Sequence, residues 1–184
     1  NVFFDKNLNN RFEFLKYFFL HCNCLLGPSL LIKKECFEDI GFYDPRLLQL
    51  QDFEFYIRLC LAGYEMKIIQ EPLTYYRIRE NNQNLSLKPH STRFLFEMNL
   101  ILNEHYSRIN NPILLNQIFD FIKLDHIDLM RFDFAMFSLK LPTKWHQLFG
   151  INLMYQLYEN EETIRLIDKE RDFSTTDFYN LTKD

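Results

Sequence analysis

An α/β region followed by a mostly α-helical region is the fold class this sequence predicts. Three observations carry it. Residues 1–88 alternate short elements with turn signals, residues 89–184 carry apolar positions at helical spacing, and the change of grain falls near Pro89. With 184 residues, 47% hydrophobic and 25% charged, the chain has ample apolar material for a core. We therefore divide it into 1–88 and a helical extension, 89–184.

Within residues 1–88, Phe12 to Phe19 is an aromatic-rich helical stretch, and Asn9-Asn10 supplies its start. Ser29 to Ile32 has the length and composition of a short strand. Lys33 to Ile40 places Cys36, Phe37 and Ile40 at helical spacing and stops at Gly41. Phe42-Tyr43-Asp44-Pro45 is a turn, because a residue before proline avoids the helical region. From about Asp52, Phe53, Tyr56, Ile57, Cys60 and Leu61 make one apolar stripe, with Glu54 and Arg58 paired at i,i+4 and Gly63 as the stop. Met66 to Ile69 and Leu73 to Ile78 read as two further strands around the Glu71-Pro72 turn.

Across residues 89–184, a helix runs through Phe94 to Leu102 and breaks near Asn110-Asn111-Pro112. Ile113 to Phe137 reads as one long helix, Trp145 to Tyr158 as a shorter one, and Glu161 to Asp184 turns polar.

Composition excludes several functions. A net charge of −4 and four glycines argue against a phosphate-neutralising nucleic-acid binder and a glycine-rich phosphate loop. Tyr17 to Ile32 is the most membrane-like stretch, but His21, Asn23 and Gly27-Pro28 interrupt it, so no transmembrane segment is expected. Cys22, Cys24, Cys36 and Cys60 lack metal or scaffold spacing and read as reduced, core-filling thiols of a cytoplasmic protein. His90, His105, His126 and His146 have no partners at metal spacing. The charges around Asp125, His126 and Asp128 read as a solvated helix face. No metal site is expected in these residues.

Three runs, GPSLLIKKECFEDIGFYDPRL, QDFEFYIRLCLAGYEMKII and EPLTYYRIRENNQNLS, follow one another from Gly27 to Ser86. Their order resembles the C-terminal, acceptor-side half of a family 2 glycosyltransferase with the GT-A fold. The resemblance implies inverting transfer of a sugar from a nucleotide-sugar donor to a glycan or other hydroxyl acceptor. It also implies a divalent metal (Mn or Mg) in the full-length enzyme. The family's Asp-x-Asp metal motif is absent from the chain, so none is expected to be bound here and the piece alone is expected to be inactive.

The family's Glu-Asp or Gln-Asp pair maps to Gln51-Asp52, which makes Asp52 the general base and leaves Gln51 beside it. On its residues alone, Asp52 reads first as a helix N-cap worth about 1 kcal/mol, a role compatible with that of a base. At a helix start the macrodipole would hold it ionised and make it a weak base. Where the family ends its strand in Arg-x-His, this chain has Arg77-Ile78-Arg79, so a histidine ligand is replaced and the two guanidinia could offset diphosphate charge. His21 lies near the acceptor side on the same resemblance, although a lone histidine there also fits a partly buried structural role. Asp44 and Glu54 could line the cleft. The other functional class consistent with the sequence is a non-catalytic, helical protein-interaction module on such a scaffold. A sheet edge left open by the missing half would further favour self-association.

Overall fold

The computed structural model describes residues 6–75 and 91–181. They divide into two compact units, Asn1–Ile101 and Leu102–Asp184. All regular structure among the described residues is helical.

In the first unit, α1 (Arg11–His21) starts where Asn10 caps it, its side chain accepting from the amides of Phe12 and Glu13. The Asn10 side-chain Nδ2 also donates to Glu13 Oε1 at 2.8 Å, while the Asn9 backbone amide donates to Glu13 Oε2 at 2.8 Å. α2 (Lys34–Ile40) ends at Gly41, whose φ of +82° is open to glycine and strained for other residues. α3 (Gln51–Leu61) buries Phe53, Phe55, Tyr56, Ile57, Leu59 and Cys60. It packs on Phe14, Leu15, Phe18 and Phe19 of α1, with the Phe18 and Phe53 rings edge to face at 5.5 Å. The Glu54–Arg58 pair forms at 2.6 Å, and Arg58 also donates to the carbonyls of Ile40 and Phe42. One guanidinium thus ties the end of α2 to the middle of α3.

The expected α/β fold is not what these residues form. Gly27–Ser29 is a single 3₁₀ turn, and no strand follows it. Leu26 (φ −99°, ψ 109°) and Leu30 (φ −89°, ψ 139°) do have extended backbone. Met66 to Ile69 and Leu73 to Tyr75 are likewise outside any helix or strand. Apolar runs supply the side-chain pattern of a strand, but a strand exists only where backbone amides and carbonyls pair with a neighbour. Among the described residues these segments have no such ladder. Their side chains instead border an apolar groove of about 660 Å³ that includes Leu26, Leu30, Ile32, Tyr56, Met66 and Ile68. Tyr76 to Ile78, the rest of the last expected strand, lies outside the described residues, as do Arg77, Arg79 and His90. With no sheet edge among the described residues, the edge-driven reason for self-association is absent from them.

α4 (Ser91–Ser107) begins in the first unit and ends in the second. In the second unit, α5 (Pro112–Ile118) and α6 (Ile127–Leu139) replace the single helix expected over 113–137. The apolar spacing continues through the gap, but Asn116 donates to the Ile122 carbonyl at 2.7 Å and His126 caps a new helix. α7 (Lys144–Leu157) pairs with α6 as a hairpin. Tyr106, Phe119, Phe134 and Phe149 form the core, with Phe119 and Phe134 centroids 4.2 Å apart. α8 (Glu161–Arg171) and α9 (Thr175–Leu181) complete it. Arg171 joins α8 to Asp133 at 2.9 Å and to Asp125 at 3.0 Å. Thr163 donates to Asp128, so these acids serve packing.

Gly150 marks the tightest point of the hairpin. A Cβ there would stand 2.9 Å from the Ala135 carbonyl oxygen and 2.9 Å from Leu139 Cγ. Because one obstacle is backbone, Gly150→Ala is expected to cost about 1–3 kcal/mol in urea unfolding, despite alanine's better helix propensity.

Candidate functional site

The start of α3 is organised from a distance. Leu50 occupies the N-cap position without a side-chain cap. The turn leading into it is held instead by Glu97 of α4, 3% exposed, whose carboxylate accepts from the amides of Leu48, Gln49 and the N-cap Leu50, each at 3.0 Å. Gln51, with its amide oriented to donate, reaches the carbonyls of Leu48 at 3.1 Å and Leu47 at 3.2 Å. It therefore shapes the turn before the helix.

Asp52 is the second residue of the helix, not its N-cap. Its Oδ1 accepts from the Phe53 amide at 2.7 Å, and the nearby Asn23 side chain favours the ionised form of the same carboxyl. The expected effect of the helix start on its acidity is reversed: burial raises the Asp52 pKa above 3.8, against the lowering from the Phe53 and Asp52 amides and from Asn23. Desolvation outweighs the local dipoles. Asp52 is thus a stronger base than an exposed aspartate.

Around it the chain turns sharply. Cys22 closes α1 at φ +85°, ψ −168°, backbone that non-glycine residues rarely adopt, and this brings Asn23 toward Asp52. Asn23 is itself fixed, its Oδ1 accepting from the Leu25 amide at 2.8 Å. Burial and the nearby Asp52 charge raise the pKa of Cys22, and the same two causes act on Tyr43. At Gly27, a Cβ would come within 3.5 Å of Asp52 Oδ2 and 3.8 Å of the Tyr56 hydroxyl oxygen. Asp52 and Tyr56 therefore both approach Gly27 at the start of the 3₁₀ turn, with Asn23, Cys22 and Tyr43 close enough to interact electrostatically with Asp52.

The other candidates lie elsewhere or are engaged. His21 is exposed in the last turn of α1, its ring 4.8 Å from Tyr17. Asp44 is forked by Arg46, which pulls its pKa below 3.8, and Glu54 is buried against Arg58. Among the described residues no three His, Cys, Asp or Glu side chains gather as a metal site would require. The donor set for a divalent cation is not found in them. No helix among the described residues is long and apolar enough to cross a membrane.

Sequence reasoning reached Asp52 only through the resemblance and overlooked Asn23, Gly27, Tyr56 and Glu97. For Glu97 a signal existed: an acid between Phe96 and Met98, on a helix whose neighbouring positions are apolar.

Removing the Asn23 side chain has a predicted sign. It stabilises the ionised carboxylate, so Asn23→Ala is expected to move the acid limb of any Asp52-dependent pH–rate profile to higher pH.

Over 76 residues, 41% of its length, the chain is 32% identical to an uncharacterised glycosyltransferase of Methanocaldococcus jannaschii. Part of this chain is similar to a glycosyltransferase. The match spans 26% of that relative. No family model matches the chain, and no solved structure does.

Proposed function

We propose that this chain carries the base-bearing, acceptor-side part of an inverting glycosyltransferase related to family 2, with a nucleotide-sugar as donor and a glycan hydroxyl as acceptor. Asp52 takes the acceptor proton as the hydroxyl oxygen attacks the anomeric carbon; the glycosidic bond forms as the bond to the departing nucleotide breaks. The observation that carries this reading is the Asp52 carboxyl, made more basic by burial and set beside Gly27, where a Cβ would stand 3.5 Å from Oδ2. The likeness to a glycosyltransferase over 76 residues supports the same chemistry. Held by Phe53 and a helix whose start Glu97 secures, the base is pre-positioned before substrate arrives.

The test uses the longest natural chain containing this segment. It is incubated with UDP-, GDP- and TDP-sugars, with and without Mn²⁺, and with methyl glucoside, galactoside and mannoside as acceptors. Transfer is expected, with the anomeric configuration of the donor inverted by proton NMR. Retention of configuration, or nucleotide-sugars left intact throughout, contradicts the proposal.

A further inference from the structure

Tyr56 lies one helical turn after Asp52, on the same face of α3. Its side chain is among the largest in the core, at 1% exposure, yet its hydroxyl has no hydrogen-bond partner among the described residues. Such a hydroxyl costs free energy unless something pairs with it. It lies 3.8 Å from the point where Gly27 lacks a Cβ, and Asp52 Oδ2 lies 3.5 Å from the same point without bonding the hydroxyl. Burial and the Asp52 charge raise the Tyr56 pKa, so the phenol stays protonated and remains a donor.

We infer that the Gly27 notch is the seat of the acceptor and that Tyr56 is an acceptor-binding residue. Its hydroxyl donates to a second oxygen of the acceptor, adjacent to the one that faces Asp52. The inference rests on the proposed transferase chemistry and adds to it a substrate class: acceptors presenting two neighbouring hydroxyls. One oxygen gives its proton to Asp52 and attacks; the other is held by Tyr56 and selects which of the pair is glycosylated. A site built to pair with a hydroxyl discriminates strongly against an analogue lacking it, because its own polar group is then left unpaired.

Two substitutions test this without disturbing the fold. Tyr56→Phe removes only an unpaired oxygen, so thermal stability is expected to stay level or rise. Gly27→Ala adds a methyl at ordinary contact distance, 3.5 and 3.8 Å, and Gly27 has no positive φ to forbid it. In the full-length chain, with the methyl glycosides above, each is expected to raise the acceptor KM roughly tenfold or more while the donor KM stays within twofold. Wild type is expected to prefer a vicinal-diol glycoside over its monodeoxy counterpart, and Tyr56→Phe to lose that preference. An unchanged acceptor KM and an unchanged deoxy preference in Tyr56→Phe, with wild type active and Asp52→Asn inactive, overturn the role of Tyr56 alone. No transfer by wild type to any of these glycosides overturns the transferase reading beneath it.

Discussion

Asp52→Asn is expected to lower sugar transfer by roughly a hundredfold or more while leaving the fold at least as stable at neutral pH. The two effects have one cause. Burial holds the Asp52 pKa above 3.8, so the folded protein binds that proton more tightly than the unfolded chain does. A group with a raised pKa contributes stability below 3.8, and that contribution is lost as pH rises through its folded value. At pH 7 the wild-type chain therefore carries a partly desolvated charge that asparagine, of nearly the same shape, does not. The side-chain oxygen of asparagine can still accept from the Phe53 amide, which Asp52 meets at 2.7 Å. Melting temperatures measured from pH 3 to 8 are expected to coincide at the acid end, with the variant equal or higher at the neutral end. A variant that unfolds at lower temperature at pH 7 would show that the carboxylate is a net structural asset.

Glu97→Ala is expected to produce the largest loss of stability among single changes in the first unit, roughly 3–4 kcal/mol. Its carboxylate is the partner of three successive amides, those of Leu48, Gln49 and Leu50, each at 3.0 Å, and it is 3% exposed. Hydrogen bonds to an ionised acceptor are the strong ones, and truncation strands three donors that are partly or wholly shielded from water. Glu97→Gln keeps one acceptor oxygen of the two and is expected to lose about half as much. Urea midpoints of the three proteins give the comparison, with a change below about 1 kcal/mol contradicting it. Because those amides open the turn into α3, the alanine variant is also expected to lose transfer, through misplacement of Asp52.

Much of the helical structure can be read from local chemistry. Asn10 before an aromatic stripe, Gly41 after Ile40 and Gly63 after Ala62 each mark a helix end where the structure has one. The strands could not be read in the same way. Ser29 to Ile32 and Met66 to Ile69 have strand-like composition, but whether backbone partners exist depends on distant residues, and here none is found among those described. The break between α5 and α6 was hidden because apolar residues keep helical spacing across it while Asn116 and His126 redirect the backbone. At the site, the type and place of Asp52 were legible through a resemblance, yet the direction of its pKa was not. A helix start argues for lowering; burial, which depends on what packs around the side chain, argues for raising and prevails. Glu97 was the least legible because its partners lie nearly fifty residues away.

The most direct test of Asp52 as the base is nucleotide release by the full-length protein, wild type against Asp52→Asn, on the donor the wild type uses best. Melting curves of both proteins at pH 7 serve as the fold control. A loss of about a hundredfold or more is expected, with no loss of thermal stability. Rates within twofold of each other, with both proteins folded, would contradict that role.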